Sequence, residues 1–106
     1  MRADRAARLL PGGVPRYVRC YDNGGSTADR YTVIFTQQKD GWTRGLGMSG
    51  VPSPSHPQGV CMSFEHPHPI DRPRHAHIGS KVEFCNLPAD CREAALRTYR
   101  SLWGLA

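Results

Sequence analysis

One stretch of the chain, residues 16–36, restricts its fold more than any other part of the sequence. Two segments rich in β-branched and aromatic residues, RYVRCY and YTVIFT, flank DNGGSTAD, which consists mostly of residues that favour turns. The second segment alternates, so Tyr31, Val33 and Phe35 would share one face of a strand. This pattern predicts an antiparallel β-hairpin whose loop is longer than a two-residue turn.

Three further segments predict strands. Residues 42–48 follow a turn centred on Asp40-Gly41, and Gly45 and Gly47 within them indicate a bulge or a close approach of another chain segment. The segments QGVCMSF and KVEFC each follow a proline-rich stretch and alternate in the same way. The sequence therefore predicts a small antiparallel sheet of three to five strands.

The C-terminal part of the chain predicts a helix. Pro88 suits the first helical position, Asp90 complements the helix dipole, and Gly104 favours a helix end. Apolar residues recur at helical spacing, so we expect an α+β fold with this helix across one face of the sheet. The residues predicted for the core are Val18, Val33, Phe35, Val60, Phe84, Tyr99 and Leu102.

Length and charge favour a single basic domain. A chain of 106 residues is the size of one domain, and its net charge of +5 favours acidic partners. Residues 1–15 contain Arg2, Arg5 and Arg8 followed by prolines and glycines, which predicts a basic flexible arm. Residues 16–106 are expected to form one α+β domain.

The sequence predicts a cytoplasmic protein that does not cross a membrane. No apolar run approaches the roughly 18 residues of a membrane-spanning helix. The N-terminal segment has arginines but lacks the apolar stretch of a signal peptide. We therefore expect reduced thiols at Cys20, Cys61, Cys85 and Cys91, whereas an exported chain could form two disulfides.

Cations alternate with aromatic residues in RYVR, DRY and WTR, on segments that predict neighbouring strands. Such a pattern is typical of surfaces that bind single-stranded nucleic acid, and it equally suits an interface with an acidic protein. Tyr17, Arg19 and Tyr21 would share one face of the first strand. We expect an exposed sheet face and its adjoining loops, residues 22–30 and 65–77, to bind the partner. The candidate binding residues are Arg16, Tyr17, Arg19, Tyr21, Asp22, Asn23, Asp29, Arg30 and Arg44.

The mouth of the predicted hairpin offers a second kind of chemistry. Asp22 and Asp29 could share a divalent cation or act as an acid/base pair, with Arg30 orienting an anion. The backbone N–H groups of Asn23-Gly24-Gly25 could form an anion-binding concavity. Alternatively, Asp22 closes the turn through its side chain, and Asp29 and Arg30 form a surface ion pair. The first interpretation would make the protein a small metal-dependent hydrolase or phosphoryl-handling enzyme.

Histidines concentrate in a second proline-rich segment and raise the question of zinc. The candidate ligands are Cys61, His66, His68, His75 and His77, with Cys85 and Cys91 as further thiols. Their spacing does not match the short ligand pairs of structural zinc sites, so we predict no bound cofactor and surface imidazoles instead. Cys20 and Cys61 are candidate nucleophiles or, alternatively, small core residues.

Taken in order, several blocks of the sequence resemble a family of small bacteriophage and mobile-element proteins of uncharacterised function. The blocks lie within residues 16–104 and are RCYDNGG, DRYTVIFT, GMS, HPQGVCMS, HIGSKVEF and LPADCREAALRTYRSLW. The resemblance implies no catalytic residue and no fold. It implies a bacterial cytoplasm and a role in the fitness of a phage or mobile element.

These observations lead to one main expectation about function. We expect a non-enzymatic accessory protein that binds and occludes a host macromolecule through a basic and aromatic surface. The target would be a host protein complex, such as a CRISPR effector or another defence complex, or a nucleic acid. The alternatives are the metal-dependent hydrolase and a structural virion component, and the oligomeric state stays open.

Overall fold

The computed structural model describes residues 9–10, 12–54, 57, 59–68 and 78–105. The elements in this part of the chain are β1 Leu9–Leu10, β2 Val14–Pro15, β3 Val18–Asp22, β4 Tyr31–Lys39, β5 Trp42–Met48, β6 Val60–His66, β7 Ser80–Val82, a 3₁₀ turn Phe84–Asn86 and α1 Ala89–Trp103. Strands β3 to β7 form one antiparallel sheet in the order β6-β5-β4-β3-β7, and β1 and β2 form a separate hairpin. The predicted α+β fold is confirmed.

Two hairpins of different kinds build the centre of the sheet. Strands β3 and β4 pair from Val18↔Phe35 to Asp22↔Tyr31, and an eight-residue loop, residues 23–30, joins them. Strands β4 and β5 meet at the pair Lys39↔Trp42, so only Asp40 and Gly41 lie between them. Both residues have positive φ, 54° and 82°, which is the conformation of a tight hairpin turn.

The core lies between the sheet and α1. The rings of Phe35 and Tyr99 are 5.8 Å apart, and the Tyr99 hydroxyl accepts a hydrogen bond from the backbone N–H of Arg16. Of the residues predicted for the core, Val33, Phe35, Phe84 and Tyr99 are buried, and Val18, Val60 and Leu102 are partly buried against them. Phe84 reaches the core from the 3₁₀ turn, because the strand predicted over KVEFC ends at Val82.

The second face of the sheet is covered, contrary to the prediction of an exposed face. Ile34 and Thr43 on this face are 1% and 0% exposed. A Cβ atom at Gly45 would overlap the ring of Phe64, so the missing side chain gives this ring its place against the sheet. The Thr43 hydroxyl donates to the backbone oxygen of His68 at 2.9 Å. The close approach that Gly45 indicated is therefore present, and it closes the face that was expected to bind a partner.

The folded domain also includes part of the predicted arm. Strands β1 and β2 pair through Leu9↔Pro15 and Leu10↔Val14, and Leu9 and Val14 pack against the core. Apolar side chains at these positions give this hairpin a surface to bury, which a solvated arm lacks. The arginines of the arm, Arg2, Arg5 and Arg8, lie outside the described residues. Among the residues that the structure describes, no helix is both long enough and apolar enough to cross a membrane.

Candidate functional site

Side chains of the β3–β4 loop hold one another in what we call the hairpin-loop cluster: Asp22, Asn23, Thr27, Asp29 and Arg30. The Asn23 amide lies at its centre. Its nitrogen donates to the Thr27 hydroxyl at 2.8 Å and to the backbone oxygen of Asp29 at 3.4 Å. Its oxygen accepts from the backbone N–H groups of Gly25 at 2.8 Å and Ser26 at 3.1 Å. The loop is thus braced from within.

Asp22 and Arg30 form a two-pronged ion pair at the mouth of this loop. Arg30 Nε lies 2.8 Å from Asp22 Oδ1, and Nη2 lies 3.2 Å from Oδ2. The hydrogen bonds from Arg30 and, to a lesser degree, from the Gly24 N–H lower the pKa of the Asp22 carboxyl below its ordinary value of 3.8. The same pair raises the pKa of the Arg30 guanidinium. The partner of Arg30 is therefore Asp22, and the expected surface pair with Asp29 is wrong.

This bracing uses the groups that a metal or anion would need. The N–H of Gly24 donates to Asp22 Oδ1 at 2.8 Å, and the N–H of Gly25 donates to Asn23. The Asp29 carboxylate accepts the Thr27 hydroxyl at 2.6 Å. Within the described part of the chain, no group of three potential ligands is arranged to hold a metal ion. The loop has the structural role that the turn-closing interpretation of Asp22 predicts.

The residues expected on one face of the first strand are not displayed together. Tyr21 is only 9% exposed, whereas Tyr17 is 46% exposed and lies outside β3. Tyr17 has a φ of 55°, and its carbonyl accepts two hydrogen bonds from Thr36, at 2.7 Å to the backbone nitrogen and 2.8 Å to the hydroxyl. This left-handed turn breaks the alternation that would have placed Tyr17 beside Tyr21. Arg19 pairs with Ile34, on the covered face of the sheet, and it interacts with another group of the protein.

Cations and exposed rings instead meet at the other end of the sheet, where β3 begins, β4 ends and β5 begins. Strand register brings this end together, because Lys39 pairs with Trp42 and Phe35 pairs with Arg44. Trp42 is 42% exposed, and the Arg16 guanidinium lies 5.3 Å from the centre of the Tyr17 ring. We name this surface the basic end; its residues are Arg16, Tyr17, Lys39, Trp42, Arg44 and Arg97.

Contacts with the backbone fix two cations of the basic end, Arg44 and Lys39. Arg44 Nη1 donates to the backbone oxygen of Lys39 at 2.9 Å, and Nε lies 2.8 Å from the Glu65 carboxylate. Lys39 Nζ donates to the backbone oxygen of Leu102 at 2.7 Å and lies 5.9 Å from the centre of the Trp103 ring. The C-terminal end of a helix attracts such a cation. The basic end thus has a defined shape.

An open cleft of about 390 Å³ lies between α1 and β5 at this end. Its lining residues are Arg44, Arg97, Thr98, Ser101 and Leu102. Arg97, Thr98 and Ser101 were not predicted as site residues, because charged and polar residues off the apolar stripe of a helix usually face solvent, and Leu102 was predicted for the core. The available signal was the spacing of Arg97 and Ser101, which places a cation and a hydroxyl on one flank of α1.

The zinc candidates and cysteines do not converge among the described residues. The rings of His66 and His68 are 5.7 Å apart, and the His68 N–H donates to His66 Nδ1 at 3.2 Å. The Cys61 thiol donates a hydrogen bond to the backbone oxygen of Ala28, which lies in the loop between β3 and β4. His75 and His77 lie outside the described residues.

The cysteine proposed as a nucleophile within β3 is instead a core residue. Burial, with a smaller contribution from Glu83, raises the pKa of the Cys20 thiol to about 12. Burial, followed by Asp90, likewise raises the pKa of Cys91 to about 11. Both side chains therefore remain neutral near pH 7, which disfavours them as nucleophiles.

A comparison of the chain with protein-family models, curated proteins and solved structures found no match. The two ends of the sheet differ in how their polar groups are used. At one end, the polar side chains of the hairpin-loop cluster form hydrogen bonds with one another and with the backbone of the loop. At the other, the basic end presents cations beside exposed aromatic rings and an open cleft.

Proposed function

We propose that this protein is a non-enzymatic binding protein that docks on an anionic macromolecule through its basic end and occludes it. The observation that carries the proposal is that two exposed rings at this end of the sheet each have a neighbouring cation: Trp42 lies on the same side of β5 as Arg44, and Tyr17 lies 5.3 Å from the Arg16 guanidinium. Arginine and large aromatic residues dominate the energetics of macromolecular interfaces. A surface of this kind gains affinity from cations and rings that are held in place before binding.

The charge balance around the basic end supports an anionic partner. Cations outnumber carboxylates here, and the whole chain has a net charge of +5. Such an excess attracts polyanions over a distance comparable to the Debye length, which is roughly 10 Å at moderate salt. The cations are Arg16, Lys39, Arg44 and Arg97, and the carboxylates are Asp40, Glu65 and Glu93, of which Glu65 and Glu93 pair with Arg44 and Arg97.

The biological setting of the proposal comes from the sequence resemblance alone. A phage or mobile-element protein in a bacterial cytoplasm gains an advantage by blocking a host macromolecule. The narrower proposal is an inhibitor of a host-defence complex, such as a CRISPR effector, that competes with nucleic acid or with an acidic protein face. No contact in the described residues favours the hydrolase alternative, because the carboxylates of Asp22 and Asp29 are engaged within the loop.

A charge-reversal experiment tests the role of the basic end. Tagged protein would be incubated with bacterial lysate, with and without nuclease treatment, and the retained material quantified. Arg97→Glu reverses a charge in the cleft, and Lys81→Glu reverses one on the exposed side of β7 as a matched control. We expect Arg97→Glu to abolish most retention and Lys81→Glu to preserve it. Equal retention by both variants would contradict the proposal.

A further inference from the structure

We propose that the cleft between α1 and β5 binds the phosphate backbone of single-stranded nucleic acid, and that Trp42 stacks on an adjacent base. This inference rests on the proposed function and specifies the partner of the same surface.

The lining of the cleft has the chemistry of a phosphate site. Among the lining residues, Arg44 and Arg97 carry guanidinium groups, and Thr98 and Ser101 carry hydroxyls. Arginine, serine and threonine are among the side chains that commonly contact phosphate oxygens. The described contacts of Arg44 engage Nε and Nη1, and that of Arg97 engages Nη2. A guanidinium has five N–H donors, so each arginine retains donors beyond these contacts.

The carboxylates beside these arginines are exposed and weakly held. Glu65 pairs with Arg44 at 2.8 Å, and Glu93 pairs with Arg97 at 3.0 Å. Their side chains are 56% and 70% exposed, and ion pairs this open contribute little to stability. A phosphate can therefore replace either carboxylate at small cost. This makes Glu65 and Glu93 competitors of the ligand.

The rings of the basic end suit unpaired bases. Trp42 and Arg44 are two residues apart on β5 and therefore lie on the same side of the strand. Tyr17 with Arg16 repeats the combination of an exposed ring and a cation at the start of β3. Exposed rings stack on unpaired bases, whose faces a duplex hides within its own stack. Two exposed rings with neighbouring cations at this end of the sheet favour a single strand over a duplex.

An acidic protein is the less favoured occupant. The core of a protein–protein interface is usually an apolar patch surrounded by a polar rim. The described lining residues of the cleft are Leu102 and four residues that carry charges or hydroxyls, although carbon atoms form most of its exposed surface. Charged and hydroxyl-bearing residues near an exposed ring suit a nucleotide chain, in which charged phosphates accompany apolar base faces.

Fluorescence anisotropy with two labelled probes tests the inference. The probes are an oligothymidylate and a polyglutamate of equal charge, and a duplex of equal charge gives a third comparison. We expect the oligothymidylate to bind most tightly. Arg97→Ala should weaken its binding about three- to tenfold and reduce the slope of log K against log salt by about 0.7. Lys81→Ala, which removes a charge outside the basic end, should change the affinity less than about twofold.

Two further variants address stacking and competition. Trp42→Ala should weaken oligothymidylate binding at least about fivefold, and Trp42→Phe should restore most of it. Met62→Ala removes an exposed apolar side chain elsewhere and serves as the control. Glu65→Gln should strengthen binding about twofold or more, because it removes a competing carboxylate. Loss of folding cannot produce such a gain, and urea unfolding of each variant checks the weakened ones.

Each outcome either supports or overturns a defined part of the argument. Preference for polyglutamate would overturn the nucleic-acid inference and leave the proposed function standing. Absence of binding to all three probes would overturn both. Oligothymidylate binding that Arg97→Ala and Trp42→Ala leave unchanged would overturn the assignment of the cleft and of Trp42.

Discussion

The two hairpin ends of the sheet use the same kinds of residues in opposite ways. In the hairpin-loop cluster, Arg30 pairs with Asp22, and the Asn23 amide holds the backbone of the loop. At the basic end, Arg44 and Lys39 also contact backbone oxygens, yet Trp42 beside them stays 42% exposed. One end is closed on itself, and the other presents rings and cations outward.

Loop length explains this difference. The eight residues 23–30 form a loop whose backbone N–H groups need partners, and the side chains of Asp22 and Asn23 accept from three of them. At the Asp40-Gly41 turn, strand pairing continues to Lys39↔Trp42, and the side chains of Gln38 and Arg44 donate to the backbone oxygens of Gly41 and Lys39. The long loop therefore uses its side chains to satisfy its own backbone N–H groups, whereas the tight turn leaves the Trp42 ring exposed beside it.

At the loop end, the largest loss of stability is expected from substitution of Gly79. A Cβ atom there would overlap the backbone of Asp22 and Asn23, and its φ of 89° also disfavours any other residue. Gly79→Ala should lower the free energy of unfolding by about 3 kcal/mol or more. Gly24→Ala is the control, because its φ is 75° but no atom lies within 4 Å of its Cβ. It should cost about 1–2 kcal/mol. Equal losses in urea unfolding would contradict close packing at Gly79.

The next largest loss of stability is expected on removing the Asn23 amide, which braces the loop. Asn23→Ala removes four hydrogen bonds and should lower the free energy of unfolding by about 2 kcal/mol. Asn23→Asp keeps the two acceptor contacts and should cost roughly half as much. Neither change should alter oligothymidylate affinity by more than about twofold, because the loop lies at the opposite end. A large loss of affinity would show that the two ends are coupled.

Much of this fold follows from local sequence patterns. The alternation in YTVIFT, the Asp40-Gly41 turn and the apolar stripe of α1 each predict an element that the structure contains. These features depend on residues close in sequence, so periodicity and turn chemistry are sufficient to find them. The burial of Phe84 was also predicted, although the 3₁₀ turn that carries it was not.

The candidate site was harder to predict because it depends on contacts between distant segments. The sequence assigned Arg30 to a binding surface, but its bidentate contact with Asp22 depends on the β3–β4 register. The left-handed conformation of Tyr17 breaks the expected alternation with Tyr21. Arg97 joins Arg44 only because α1 crosses the sheet at that end. Such contacts cannot be derived from spacing alone.

Removal of the Asp22–Arg30 ion pair should cause a smaller loss of stability, and this loss should depend on pH. Asp22→Asn should lower the free energy of unfolding at pH 7 by about 1 kcal/mol. The pKa of Asp22 is lowered in the folded state, so its stabilising effect is present above the ordinary value of 3.8 and lost as pH falls through the lowered value. The difference between variant and parent should therefore shrink toward about pH 2. Asp40→Asn, in the tight turn, should cost less than about 0.5 kcal/mol, because asparagine tolerates positive φ.

The smallest loss of stability is expected for Glu65→Gln, and its comparison with Asp22→Asn tests the difference between the two ends. Glu65 and Asp22 each pair with an arginine at 2.8 Å, but the Glu65 side chain is 56% exposed and that of Asp22 is 25% exposed. Glu65→Gln should change the free energy of unfolding by less than about 0.5 kcal/mol, since Arg44 keeps its bond to the backbone of Lys39. A loss as large as that of Asp22→Asn would mean that the Arg44–Glu65 pair braces the fold as the Arg30–Asp22 pair does. Arg44 would then be committed to the protein itself, and the contrast between a closed end and a binding end would fail.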